Sequence, residues 1–311
     1  MLAVAALLVV AGASPVWPYE ESTARAFASL TQASYCGADA RLMNWTCRPC
    51  EAAGFHLVPG SLRFVQRREL EQPNSTFVLL ARLAVVKAHF SAGCVVSFRG
   101  SETITNWLED FRFWNRATRF DWCDGCYVED GFSVIWRSVN DELVEKLRDI
   151  GCVANGTKEQ STLYITGHSL GAAVGTLAMC GLQSMGFNVS LSYLFESPRV
   201  GNLDFAQAFD DEFVRRIPMY RITHAQDPVV HLPPRDLLGY KYRHVNYEVF
   251  YDKEGSWRFC PEAEDRNCAD RYSLVTSLMH TGDHCATPLA PNGTICHCPV
   301  GRKGEPDTMV I

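Results

Sequence analysis

The 311-residue chain has no apolar run approaching the ~18 residues that a membrane-spanning helix needs, which argues against a bilayer anchor. Basic charge is not in excess either. Against 35 Asp and Glu stand 29 Lys and Arg, a formal net charge of −6, so no positive field exists to attract nucleic acid. Internal repeats and low-complexity linkers are missing. Lys and Arg do not occur before Arg25, so the apolar run Leu2–Val10 has no basic segment ahead of it. That run is too short to cross a bilayer, and with Ala11-Gly12-Ala13 behind it reads as the apolar core and small-residue cleavage site of a signal peptide. The expected organisation is a signal peptide over residues 1–13 and one domain over residues 14–311.

The apolar share is 47%, ample for a core. Glu20 to Ala33 has helical spacing of apolar residues. Phe77 to Ala84 and Val85 to Phe98 contain apolar, β-branched runs, of which Cys94 to Phe98 reads as a buried central strand. Phe132, Ile135, Trp136, Val139, Leu143, Leu147 and Ile150 recur every three or four residues, the stripe of an amphipathic helix. Val189 to Phe195 and Met219 to Thr223 read as strands around a short helix near Asp204 to Arg215, and Tyr240 to Tyr251 alternates as a strand or hairpin. Strands alternating with helices predict a mostly parallel central sheet flanked by helices, in a single domain of α/β class.

The stretch Leu163 to Gly175 carries the chemistry. An apolar strand runs into Gly167-His168-Ser169-Leu170-Gly171, and an Ala-rich helix follows at once, the context of a nucleophile elbow. The two glycines flank Ser169 where a side chain would collide as strand turns into helix. The positive helix end lies beside the place where an oxyanion forms, with the Leu170 N–H the nearest donor. Read blandly, the same turn is an ordinary one with a capping serine.

A serine hydroxyl needs an imidazole to take its proton and a carboxylate to orient that imidazole, in the chain order Ser, acid, His for this elbow. Asp227 follows a predicted strand at its C-terminal edge, where such folds place their sites. An Asp before Pro is otherwise a common turn residue. Of the later histidines, His231 is too close to Asp227, His244 lies within the alternating strand and His297 sits between two cysteines, which leaves His280 and His284. His168, on the rigid turn ahead of the nucleophile, reads as structural.

Thr166-Gly-His-Ser-Leu-Gly171, Ser197-Pro-Arg-Val-Gly-Asn202 and Arg221 to Pro234 resemble three successive signatures of the class 3 lipases, the family of secreted fungal triacylglycerol lipases. Val95-Val-Ser-Phe-Arg-Gly-Ser101 with Asn106-Trp107 resembles that family's oxyanion strand and lid, so the likeness runs from about Tyr35 to about Cys296. It implies an α/β-hydrolase fold, with Ser169 as nucleophile, Asp227 as acid and His284 as base. It also implies an oxyanion hole from Ser101 and Leu170, and a lid over Glu102 to Trp114 whose apolar face includes Ile104, Trp107 and Phe111. Aromatic stripes elsewhere usually mean core packing.

Thirteen cysteines in an exported chain suggest disulfides. Cys47-x-x-Cys50 and Cys123-x-x-Cys126 lie too far apart for a zinc ribbon. The resemblance implies local bridges Cys47–Cys50 and Cys123–Cys126, and a long one from Cys36 to Cys296 or Cys298. Cys260 with Cys268 would make an extra loop bridge, and Cys94 and Cys180 read as buried thiols. Glycosylation sequons occur at Asn44, Asn74, Asn155, Asn188 and Asn292, which suits a secretory route.

The resulting expectation is a secreted triacylglycerol lipase working at a lipid–water interface on acylglycerols, with no metal or organic cofactor. Phospholipase A1 and feruloyl-type esterase share the scaffold. A silent lipid- or carbohydrate-binding protein is a reading of another class, against which the complete Ser169, Asp227 and His284 set speaks.

Overall fold

A computed structural model describes residues 17–37, 40–66, 76–84, 91–101 and 116–299. Eight strands form the large sheet, and they lie side by side in chain order: β1 (Arg63–Gln66), β2 (Thr76–Leu83), β3 (Gly93–Phe98), β4 (Thr162–His168), β5 (Asn188–Phe195), β6 (Met219–His224), β7 (Glu248–Tyr251) and β8 (Trp257–Cys260). The five strands β3 to β7 pair in parallel, while β1, β2 and β8 add antiparallel edges. Parallel strands need crossovers, and helices supply them: α2 (Asp130–Asp149) leads towards β4, and α3 (Leu170–Ser184) connects β4 to β5. The first helix, α1 (Glu21–Ala33), packs on the sheet through a buried hydroxyl pair, Thr31 Oγ1 to Thr166 Oγ1 at 2.7 Å.

Burial explains the sequence pattern. Every residue of β3 and of β4 is buried, which is why their centres, Cys94 to Val96 and Leu163 to Ile165, read as apolar runs and not as alternations. The stripe on α2 faces the core from Phe132 to Leu147, and its polar face stays in water.

The alternation from Tyr240 to Tyr251 does not make one strand or one hairpin. Tyr240–Arg243 joins a second, five-stranded sheet, while Glu248–Tyr251 enters the large sheet as β7, parallel to β6. Between them Tyr247 sits at φ 63°, so the chain turns and each half keeps a period of two in a different sheet. The helix near Asp204 is regular only over Leu203–Phe209 and widens into a π turn over Asp210–Val214. Strands β1 and β8 were not expected; each is a four-residue edge strand, too short for a strong periodic signal.

Six disulfides join Cys36–Cys298, Cys47–Cys50, Cys94–Cys152, Cys123–Cys126, Cys260–Cys268 and Cys285–Cys296. Two expectations change. Cys296, one of the two expected partners of Cys36, pairs with Cys285 instead, because that bridge closes the loop directly behind His284 and leaves Cys298 within reach of Cys36. Cys94 is not a free thiol: its strand lies beside the turn after α2 that carries Cys152, and only Cys180 stays unpaired and buried. Asn44, Asn155 and Asn188 are exposed, Asn292 is half-buried with its side-chain oxygen accepting from Gln32 at 2.6 Å, and Asn74 lies outside the described residues. So do the expected signal peptide over residues 1–13 and the expected lid residues Ile104, Trp107 and Phe111. No helix among the described residues is long and apolar enough to cross a membrane.

Glu129 caps α2 from a fully buried position, accepting from the Phe132 N–H at 2.9 Å. Burial pushes its carboxyl from 4.5 up to about 8, against the pull of the Phe132 and Gly131 N–H groups. The folded chain therefore holds a proton there that the unfolded chain releases, and stability is lost as pH rises from about 4.5 to about 8. Glu129→Gln keeps an acceptor for the cap and removes this loss. Its thermal midpoint, measured against wild type, should be higher at pH 8 than at pH 5, by the equivalent of a few kcal/mol, on the order of the pKa displacement. A constant difference at both pH values would mean that Glu129 is ionised in the fold.

Candidate active site

Three neighbouring parallel strands end alike. The residues directly after β4, β5 and β6 are Ser169, Glu196 and Ala225, with φ of 58°, 51° and 48°. Non-glycine residues in the left-handed region cost energy and cluster at functional sites. Here the three mark the C-terminal edge of the sheet, where α/β folds bind ligands.

The elbow follows from two close approaches. A Cβ on Gly171 would press on the Arg99 carbonyl oxygen at 2.6 Å, and one on Gly167 would meet the Gly171 carbonyl oxygen at 2.6 Å. Both contacts are with backbone, which cannot swing aside, so only glycine lets helix α3 start hard against the end of β3. Leu170 is the first residue of α3, where an N–H has no intrahelical acceptor. Gly100 lies equally close: a Cβ there would be 3.0 Å from the Ser169 Cβ, so the loop that holds Ser101 runs beside the serine.

His284 brings the imidazole. Its Nδ1 is 2.8 Å from Asp227 Oδ2, both side chains are wholly buried, and the pair comes from segments 57 residues apart. His284 Nε2 has no hydrogen-bond partner among the described residues. Asp227 also accepts from the Val229 N–H at 2.8 Å through its other oxygen. Burial alone would raise the Asp227 carboxyl, but the His284 imidazole and the surrounding donors hold it below the ordinary aspartate range. His280, the other candidate, caps the short turn over Thr281–His284 and stays half-buried.

His168 is engaged at both ring nitrogens. Nε2 is 3.0 Å from the His284 carbonyl oxygen, which can only accept, so Nε2 carries the proton and Nδ1 accepts from the Tyr35 hydroxyl at 2.7 Å. The Tyr35 oxygen in turn accepts from the Gly100 N–H at 2.9 Å. One chain of hydrogen bonds thus ties the loop before Ser101 to the elbow and the elbow to the backbone of His284. Burial, then the neighbouring His284, lowers His168 from 6.5 to about 3, so this ring is neutral and structural.

A second strap holds the acid loop. The Arg199 guanidinium binds Glu264 bidentately, at 2.8 and 2.7 Å, and donates through Nη1 to the carbonyls of His231 and Pro233 at 2.6 and 3.0 Å. This is the arginine of Ser197-Pro-Arg-Val-Gly-Asn202, and it fixes the segment just beyond Asp227. Tyr35 and Glu196 were not singled out from the sequence; neither sits in a periodic pattern, although Glu196 directly precedes that Ser-Pro-Arg stretch and Tyr35 opens the region of likeness.

Residues 95–237 match the family described as Lipase (class 3). Over 162 residues the chain is 38% identical to the secreted mono- and diacylglycerol lipase A of Penicillium cyclopium, a stretch that covers 52% of this chain and 49% of the relative. Over 158 residues it is 36% identical to the secreted mono- and diacylglycerol lipase 1 of Fusarium solani, covering 51% of this chain and 44% of that one. The match thus spans about half the length of these curated relatives. In three dimensions the chain superposes on the native Rhizomucor miehei lipase propeptide complex with a TM-score of 0.68 at 23% identity, covering 88% of this chain and 80% of the other. That likeness extends the α/β-hydrolase fold over most of the molecule. Residues 95–237, which hold the serine elbow and Asp227, match the class 3 lipase family.

Proposed function

We propose that the protein is a secreted serine hydrolase that cleaves the carboxylic esters of acylglycerols. The observation that carries this reading is the buried His284–Asp227 hydrogen bond, with His284 Nε2 unpartnered among the described residues and the His284 backbone bonded to His168, the residue before the left-handed Ser169. Ser169 Oγ attacks the ester carbonyl while His284 Nε2 takes its proton, and Asp227 holds the imidazolium. The Leu170 N–H, with the N–H and hydroxyl of Ser101, stabilises the tetrahedral oxyanion. Collapse returns the proton to the departing glyceride oxygen, and water releases the acyl group from Ser169 by the same route. No metal or organic cofactor enters any step. The relatives' description as secreted mono- and diacylglycerol lipases supports both the export and the acylglycerol class of substrate.

Ser169→Ala and His284→Ala should each lower hydrolysis of a soluble ester by about 10⁴-fold or more, and the double variant should be hardly worse than either single one. His280→Ala should stay within about threefold of wild type, since His280 is outside the triad. Labelling by a fluorophosphonate should vanish in Ser169→Ala, fall to a trace in His284→Ala, where nothing takes the serine proton, and persist in His280→Ala, with the fold retained in all three. A wild type that neither labels nor turns over would leave a silent binding protein.

Lipase and plain esterase part at the expected lid. If Trp107 and its apolar neighbours cover the cleft in water, burial against lipid supplies about 1.5 to 3 kcal/mol per large aromatic for opening, a tenfold to hundredfold change in the open population, order of magnitude. Rate should rise steeply as a short-chain triglyceride passes its solubility limit, and Trp107→Ser should blunt that rise more than it lowers hydrolysis of a dissolved ester. Equal losses in both assays, with smooth saturation, would make the protein an esterase. The same assay with phospholipid vesicles tests the phospholipase A1 reading, which gains if phospholipid is cleaved faster than glyceride.

A further inference from the structure

Glu196 is an unexpected residue for its place. At φ 51° its backbone occupies the region that favours glycine, and its side chain is almost entirely enclosed. The backbone is held there because its N–H continues the β5–β6 ladder to the Ile222 carbonyl at 2.8 Å. The side chain turns in under the acid loop: one oxygen, Oε2, accepts from the His224 N–H at 3.1 Å, and the carboxyl lies within hydrogen-bond reach of the Asp227 carboxyl.

Two carboxylates in contact without water cannot both stay charged, and a proton between them turns repulsion into a hydrogen bond. Asp227 keeps the charge because it also has the His284 imidazole and the Val229 N–H, whereas Glu196 has, among the described residues, the His224 N–H. Burial first, and then the charge of Asp227, push the Glu196 carboxyl well above the ordinary glutamate range. The other titratable groups that face the pair are Glu248, itself held by Arg221 and Thr223, and the rings of His168 and His231, which feel the Asp227 charge.

We propose that Glu196 is a positioning residue of the triad: it holds the one proton of a buried carboxyl pair and donates it to Asp227, which weakens the grip of that carboxylate on the His284 imidazolium. The inference rests on the esterase reading for its consequence. A weaker grip lets His284 shed its proton at lower pH, so the working range of the base extends towards acid. No bond to carbon forms or breaks; the Glu196 O–H stays on Glu196 throughout turnover.

Two variants separate this role from simple packing. Glu196→Gln keeps an N–H donor to Asp227 and an acceptor for the His224 N–H; Glu196→Gly suits the left-handed backbone but removes both the donor and that acceptor, so the comparison is made on pH dependence and not on the level of activity. With a dissolved ester, the acid limb of the kcat/KM profile should lie lowest in wild type, slightly higher in Glu196→Gln, and about half to one pH unit higher in Glu196→Gly. A packing role alone would change kcat/KM by the same factor at every pH, and coincident limbs in the three proteins would overturn the proposal. A readout that needs no turnover is the downfield Nδ1–H proton resonance of His284 in a Ser169→Ala background. It should move further downfield on Glu196→Gly, as Asp227 becomes the stronger acceptor, and little on Glu196→Gln. An unmoved resonance in the glycine variant sinks the link between Glu196 and His284. If wild type hydrolyses no ester but the resonance shifts as expected, the hydrogen-bond chain stands and the catalytic reading is what fails.

Discussion

Everything at the C-terminal edge of the sheet depends on keeping one negative charge, that of Asp227, stable where water cannot reach it. An isolated carboxylate in such a place costs far more than a domain can spare, and removal of one partner from a buried ion pair typically costs about 3–5 kcal/mol. The structure answers with donors from three directions: the His284 imidazole, the Val229 N–H, and the Glu196 carboxyl from the next strand. Each of these must itself be held. His284 is held through its own carbonyl by the His168 ring, and the segment after Val229 is held by Arg199.

The same chain of holds brings together parts of the molecule that are distant in sequence. Tyr35, at the end of the N-terminal helical segment, bonds both His168 and Gly100, so it joins the serine turn to the loop of Ser101. Its neighbour Cys36 is bridged to Cys298, and Cys285 to Cys296, on either side of the path from His284 to the C-terminal region. Loop closure over such spans is entropically expensive in the unfolded chain, and covalent bridges remove part of that cost before the site assembles. A neutral His168 is the natural centre of this arrangement, since both its nitrogens are committed and burial keeps a second proton off.

Backbone strain is concentrated rather than spread. Ser169, Glu196 and Ala225 take left-handed conformations at the ends of adjacent strands; a ladder hydrogen bond from each N–H holds them, and close glycine contacts further fix the turn at Ser169. That pre-sets side chains before any substrate arrives, so a reacting group would meet a geometry already paid for by the sheet.

Local rules read well from residues alone. The buried central strands are legible as short apolar runs, α2 as a three-and-four stripe, and the elbow as glycines flanking Ser169, because each of these depends on neighbours within a few positions. Asp227 and the pair His280 and His284 could be put forward by chain order, but the imidazole that reaches Asp227 was decided by how the loop after Ser277 folds back onto β6. The partner of Cys36, the bridge from Cys94 to Cys152 and the split of Tyr240 to Tyr251 between two sheets were likewise matters of distance in space. Glu196 shows the limit most plainly. In the sequence it is one acidic residue before Ser-Pro-Arg, with nothing to mark it as buried, left-handed or in contact with Asp227. Those properties exist only once β5 and β6 lie side by side, since a carboxyl's charge is set by the groups packed around it and no periodic pattern records which they are.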